Sequence, residues 1–359
     1  MKSAIALPLR RILWLRPALV LAVILVVITA GIDLYDNVLL ERILIGLFVS
    51  VVLVVGLQTF TGNSGLVSFG HVSFMAIGAY AAVLVIMPPE QKAYTLPRLT
   101  GFLTEIGLPF IPGMLLAALA TAILAAVIGF PLMRLSGSAA TMATFALLII
   151  THIVLRNAED YTRGTRTMYG LLPYTTLWMG LLWAVLAIVA GFVFKESKVG
   201  LMLRATREHP EAAAASGVNV VAVRWVAFTV SAFISAVGGA LYAHFITSIS
   251  PETMFMHTTF LTVAMLIIGG MENVSGAVVG TVVMTVLFEG LRAIEIWIST
   301  FRTAGGTAAG FTEVCLGVAM IVLMVLRPRG LMMGKELNWP RWLDRAVGGQ
   351  SAGGEVELR

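Results

Sequence analysis

Cysteine and charge are what this chain has least of. Cys315 is the single cysteine among 359 residues, which excludes an internal disulfide and any cysteine-based zinc site. Charged residues make up only 12% of the chain while hydrophobic ones make up 58%, and the mean hydropathy is +0.94. No single soluble core hides that much apolar surface, so the chain is an integral membrane protein. Aromatic residues are not interleaved with a basic patch, and the net charge of +5 therefore reports orientation in a bilayer rather than affinity for nucleic acid. Catalytic frames are missing as well: there is no nucleophile elbow, no HExxH pair and no carboxylate pair in a recognisable arrangement. No second histidine stands at metal-ligand spacing from His71. The nearest approach to a P-loop, Gly330 to Glu336, reaches Gly334-Lys335 after too few residues and lacks the Ser or Thr that holds magnesium. The chain is read as a non-enzyme without a cofactor of its own.

What is present is a succession of apolar runs: Pro17–Ile32, Ile43–Phe60, His71 to about Met87, Gly113–Met133, Thr141–Leu155, Thr176–Phe194, Trp225–Thr247, Phe260–Ile268, a run from Gly276 outward, and Thr312–Leu326. They predict an all-α, polytopic bundle of about ten transmembrane helices. The transmembrane domain occupies 17–326, between an amino-terminal tail (1–16) and a cytoplasmic carboxy-terminal tail (327–359), whose polar, Gly-rich part after Leu331 is expected to be mobile. Thr29-Ala30-Gly31 is a poor cleavage site, so the first run is read as a membrane span with its amino terminus inside. With both ends inside, 16 of the 24 Lys and Arg fall on the cytoplasmic side, as the positive-inside bias requires. Asp33–Arg42 is then a short outer loop, Pro88–Pro112 an irregular outer loop, and Arg156–Tyr174 a second. The short fifth run, with Thr141, Thr144, Thr151 and His152, reads as an interior helix rather than a lipid-facing one.

Two stretches interrupt the apolar pattern. Lys195–Arg224 carries Lys195, Lys198, Arg204, Arg207 and Arg224, and basic loops of this length stay on the cytoplasmic side. Inside it Pro210 suits the first position of a helix, Glu211 faces the positive end of that helix's dipole, and Gly217 suits a left-handed cap. Ala212 to Ser216 between them make about two turns of small-residue helix, too short to be stable alone in water. A helix docked on a second protein and an alanine-rich filler both satisfy that description.

The other interruption, Thr61–His71, is rich in Gly and Ser between two spans. Backbone without helical hydrogen bonds is tolerated at membrane depth only where protein or a water-filled cavity covers it. It is either part of a pathway wall or a tight turn that lets two helices pack closely. Candidate path residues are Asn63, Ser64, Ser68, His71, Thr141, Thr144, Ser231 and Ser235, with interhelical hydrogen bonding as the competing role. Ser64-Gly65 and Ser275-Gly276 sit at corresponding places in the two halves and hint at two internal repeats with interrupted helices. Gly276 and Gly280 make a GxxxG face, and Glu289 and Arg292 are spaced to form a structural ion pair.

Glu211-Ala212-Ala213, followed after three more residues by Gly217, resembles the EAA loop by which permease subunits of ABC importers dock on their ATPases. Gly200–Glu208 and Gly217-Val218-Asn219 are similar to that loop in the branched-chain amino acid permease family, in its LivM-type subunit. Gly65–Ala82, GLVSFGHVSFMAIGAYAA, resembles the family's Gly-x-x-Ser-x-Gly-His segment running into Gly-Ala-Tyr, and Arg327-Pro328-Arg329-Gly330-Leu331 resembles its ending. Departures fall at Thr162-Arg163-Gly164-Thr165 and at Glu272, which stands where the family has a third glycine. The resemblance, from roughly Gly46 to Leu331, implies ATPase coupling through Gly200, Arg204, Arg207, Glu208, Glu211, Ala212, Ala213 and Gly217. It implies a second permease subunit of LivH type, two ATPases of LivG and LivF type holding ATP and Mg, and a soluble substrate-binding protein. It also implies a place in the bacterial inner membrane, surrounded by lipid, with both termini cytoplasmic. Branched-chain amino acids are the implied cargo, with urea, short amides or sugars as relatives' alternatives. An ion-coupled secondary transporter is the reading from another class, and for it only Glu289 and Glu313 are near to being intramembrane carboxylates.

Overall fold

The computed structural model describes residues 16–99, 101–301, 310–327, 330–332 and 336–337. The basic residues Lys2, Arg10 and Arg11 and most of the carboxy-terminal tail lie outside the described residues. The chain forms α1 (Arg16–Tyr35), α2 (Val38–Ser64), α3 (His71–Ile86), α4 (Pro89–Thr95), α5 (Phe110–Leu132), α6 (Gly137–Asn157) and α7 (Glu159–Thr162). Then follow α8 (Leu177–Glu196), α9 (Lys198–Glu208), α10 (Pro210–Ala215), α11 (Val220–Ile246), α12 (Met256–Gly269), α13 (Val274–Phe301) and α14 (Phe311–Leu326). All the apolar runs are helical, but not all are full spans. Among the described residues eight stretches are long and apolar enough to cross a membrane, and α3 with α4 is a ninth only as a pair bent by 120°. At 16 residues, α14 is shorter than the roughly 20 that a hydrocarbon core asks for.

Several loops are more ordered than their composition suggests. Asp33–Arg42 is mostly helix: α1 and α2 are separated only by Asp36, at φ 47°, and Asn37, whose Oδ1 accepts from the Leu39 and Leu40 amides. The Pro88–Pro112 segment contains α4 and a 3₁₀ turn at Phe102–Thr104, not a wholly irregular connection. Buried Lys92 gathers that segment by donating to the Leu103 carbonyl at 2.8 Å and to the Ile106 carbonyl, and burial pushes its ammonium pKa below the ordinary lysine value. Arg156–Tyr174 contributes a two-residue strand, β1 (Met168–Tyr169), antiparallel to β2 (Ser248–Ile249) just past α11.

The interior placement expected for the fifth run does not hold. α6 is 21 residues long, and Met142, Ile150, Ile153 and Val154 form an exposed face that a bilayer would cover. Only its Thr144, Thr151 and His152 side is buried, so the hydroxyls explain one face and not the whole helix. The ion pair expected between Glu289 and Arg292 does not form among the described residues, where the carboxylate pairs include His152–Glu252, Lys195–Glu336, Arg204–Glu196 and Arg207–Glu272. Ser64 ends α2 whereas Ser275 lies in the first turn of α13, so those two Ser-Gly pairs are not structural equivalents.

The helix at the centre is α11, packed on α3, α2 and α5. It approaches α3 backbone to backbone: a Cβ at Gly239 would lie 2.0 Å from the Met75 carbonyl oxygen, and one at Gly78 would lie 2.5 Å from Ala236 Cα. With no hydrophobic drive between helices in lipid, such close approach is what holds membrane bundles together. The α12–α13 hairpin repeats the device, with a Gly280 Cβ placed 2.0 Å from the Met265 oxygen. Gly239→Ala should therefore lower the thermal midpoint in detergent by about 4 °C or more, since overpacking of this kind costs upwards of about 2 kcal/mol. Gly31→Ala, with nothing within 4 Å, should not lower it.

Candidate functional site: a polar seam and a docking helix

Helix α2 ends because Gly65 adopts φ 74° and its amide closes on the Thr61 carbonyl at 3.0 Å. Five residues of non-helical chain, 66–70, follow, and they are tied down by side chains. Ser68 Oγ lies 2.8 Å from His71 Nδ1, and His71 Nε2 lies 2.7 Å from Ser231 Oγ on α11. Ser231 Oγ also donates to the Phe228 carbonyl at 2.9 Å, so it accepts from the imidazole, and Nδ1 in turn accepts from Ser68. The arrangement fits a neutral ring with its proton on Nε2. Phe60, Phe74 and Phe228 surround that ring. Thr144 Oγ1 accepts from the Phe69 amide at 3.3 Å and donates to the Thr141 carbonyl at 2.8 Å, which adds α6 to the knot.

Of the path candidates, then, Ser68, His71 and Ser231 are spent on one another, while Thr144 is spent on the Phe69 amide and the backbone carbonyl of half-buried Thr141. Ser64 Oγ accepts from the Leu66 amide at 3.2 Å. Asn63 and Ser235 differ. Both are fully buried, and Asn63 Oδ1 and Ser235 Oγ have no partner. Gln58 was missed by sequence reasoning: it is fully buried on α2 with both amide atoms unpartnered, and Thr61 Oγ1 is alike. A lone amide inside the apolar run Ile43–Phe60 was the available signal. Each orphaned group costs about 1–3 kcal/mol, so a seam of several is an expensive feature for a purely structural helix.

The docking stretch folds into two helices at the same end of the bundle. Ser197 Oγ caps α9 by accepting from the Gly200 amide at 3.1 Å. Gly200 is required there, since a Cβ would lie 2.1 Å from the Phe194 oxygen. Arg204 donates to the Lys195 carbonyl at 3.1 Å and stands 3.5 Å from Glu196. Arg207 donates to the Gly62 carbonyl at 2.9 Å and pairs with Glu272. Gly200, Arg204 and Arg207 thus shape the stretch from within, whereas Glu208 is exposed. In α10, Pro210 opens the helix, Ala213 is buried, and Glu211, Ala212, Ala214 and Ala215 are exposed. Gly217 closes it at φ 87°, with the Val218 amide bonded to the Ala213 carbonyl at 3.1 Å in a Schellman arrangement.

At the opposite end a shallow crevice with room for little more than a water is lined by Met87, Gln91, Leu172, Tyr174 and His244 among others. Among the described residues no cluster of His, Cys, Asp or Glu is suited to a metal ion.

A bundle of apolar helices of membrane-crossing length, with a buried polar seam at a helix break and a small exposed helix on the loop end, defines a polytopic membrane protein. Residues 39–326 match the family described as the branched-chain amino acid transport system permease component, and the chain belongs to it. It is 24% identical over 316 residues to the high-affinity branched-chain amino acid transport system permease protein LivM of Salmonella typhimurium, covering 79% of this chain and 67% of that one. It is 30% identical over 135 residues to the nucleoside ABC transporter permease protein NupC of Lactococcus lactis, 38% of this chain and 39% of that one. With the guanosine ABC transporter permease protein NupQ of Bacillus subtilis the identity is 27% over 232 residues, 58% of this chain and 68% of the other. No solved structure matches the chain. It is a multi-pass ABC transporter permease for branched-chain amino acids or related substrates, and not an enzyme.

Ser231→Ala would leave the His71 Nε2 proton buried without an acceptor. Its thermal midpoint in detergent should fall by an amount equivalent to about 1–3 kcal/mol, while Ser250→Ala, whose side chain makes no hydrogen bond, should leave it unchanged.

Proposed function

We propose that this chain is the LivM-type permease subunit of an ABC importer and translocates branched-chain amino acids delivered by a soluble binding protein. The observation that carries the reading is α10: a capped helix of six residues with Glu211, Ala212, Ala214 and Ala215 outward, too short to persist without a partner. Separate ATPase subunits of LivG and LivF type, holding ATP and Mg, grip that face, and a LivH-type permease completes the membrane pair. On this reading the end bearing α9, α10 and the α2–α3 break is cytoplasmic, as its basic residues favour, and both termini lie there in the bacterial inner membrane. ATPase closure pushes on α9 and α10. Because Arg207 bonds the end of α2 directly, the push reaches the break at Gly65 and the seam of Gln58, Thr61 and Asn63 above it. Those unpartnered groups supply hydrogen bonds to a polar solute in transit, and weak binding suffices when a delivery protein selects the cargo.

The nucleoside and guanosine permeases among the relatives favour a second reading, in which the cargo is a nucleoside. Uptake of radiolabelled leucine and of a radiolabelled nucleoside into vesicles bearing the assembled importer separates the two. Leucine uptake without nucleoside uptake is the expected result, and the opposite pattern replaces the first reading with the second.

Glu211→Lys and Gly217→Val should each abolish co-purification of the ATPases and ATP-driven uptake, the second because a β-branched residue at that φ costs about 1–2 kcal/mol. Full uptake by both variants would refute docking through α10.

A further inference from the structure

The segment after the last helix is bonded into the docking machinery. The Leu331 amide donates to the Ile268 carbonyl at 2.8 Å and the Met332 amide to the Gly269 carbonyl at 3.2 Å, which extends the end of α12. Gly330 lies so close to Gly270 that a Cβ would sit 2.6 Å from its Cα. Four residues further on, the Glu336 carboxylate caps α13. It accepts from the Val274 amide at 3.3 Å and the Ser275 amide at 3.1 Å, and the Leu337 amide donates to Ser275 Oγ at 3.2 Å. A carboxylate at a helix amino terminus is favoured by the dipole and by amides that have no partner in the helix. The same carboxylate receives Lys195 Nζ at 2.5 Å, and that ammonium, buried in the last turn of α8, also reaches Asn273 Oδ1 at 3.4 Å. Met332, Glu336 and Leu337, part of the stretch expected to be a mobile tail, thus bond to α12 and α13.

Lys195 stands at the root of the docking stretch, just before α9, and Arg207 stands in the last turn of α9. Both lead to the α12–α13 turn, Arg207 through Glu272 and Lys195 through Glu336 and Asn273. The two contacts are unequal. Glu272 is more than half exposed, and a pair of that kind contributes little. Lys195 and Glu336 are largely buried, and removing one partner leaves the other charge uncompensated.

We propose that Glu336 is a positioning residue for transport: it makes the carboxy-terminal segment a strap that joins the root of the docking stretch to the start of α13. Movement of α9 and α10 then pulls α13 as well as α2, so the motor acts on the bundle at two places. The inference rests on the reading of this chain as an importer subunit gripped through α10.

The test uses the assembled importer in proteoliposomes, with ATP hydrolysis and leucine uptake measured together. Glu336→Gln keeps the shape of the cap and removes its charge. ATPase co-purification and ATP hydrolysis should persist, while leucine taken up per ATP should fall about fivefold or more, the scale of a typical coupling between sites. An unchanged ratio overturns the proposal, and so does a parallel fall of uptake and hydrolysis with a lowered thermal midpoint, which would mark the contact as a staple of the fold alone. If Glu336→Gln does not accumulate in the membrane, Ser275→Ala removes only the Leu337 contact and should lower the same ratio; no change there overturns the proposal equally. Absence of ATPases or of leucine uptake with the unaltered chain would instead defeat the underlying reading.

Discussion

The structure depends on how closely α11 and α3 approach. Gly239 against the Met75 carbonyl and Gly78 against Ala236 bring two backbones into direct contact, and the rest of the bundle is arranged around that pair. Lipid provides no hydrophobic gain for helix association, so the attraction comes from dispersion over closely matched surfaces and from hydrogen bonds that have no competitor. The His71–Ser231 bond is one of these, and it lies on the same interface. It ties the first residue of α3 to the middle of α11 and so determines where the non-helical chain before α3 runs. Trp225, donating to the Ala126 carbonyl at 2.7 Å, attaches α5 to the same central helix.

From that interface the polar features acquire positions. α2 passes beside α11 and ends at Gly65, and the side chain of Arg207 lies so close that a Cβ on Gly65 would fall 2.9 Å from its Cγ. A single guanidinium therefore connects the end of a central helix, the docking stretch and the α12–α13 turn. Lys195 and Glu336 make a second, more buried junction at the neighbouring end of that turn. Force applied to α9 and α10 thus has two short routes into the bundle, and neither runs along the chain from the docking stretch to its sequence neighbours.

Much of this was legible beforehand. Apolar runs of span length identify helices regardless of how they pack, and every run named from the sequence is helical. Gly217 as a left-handed cap and Pro210 at the start of α10 follow from backbone sterics alone, which act locally. The errors have one source: they concern which groups meet across large separations in sequence. Gln58 stands out in the sequence only as a lone amide in an apolar run, and that both its amide atoms lack a partner depends on neighbours the sequence does not name. The carboxy-terminal segment reads as polar and Gly-rich, and nothing local says that Glu336 meets a lysine at a separation of 141 residues.

By itself the sequence determined the membrane class, the helical content and the family whose motifs it carries. Those properties depend on composition, on short-range sterics and on transfer into lipid, each of which is decided residue by residue. Only the tertiary structure decided which hydroxyls are spent on His71, which polar groups of α2 remain unpartnered, and which carboxylate receives Lys195. Hydrogen bonds and ion pairs are short-ranged, so their partners are set by the close approach of helices that the order of the chain does not specify.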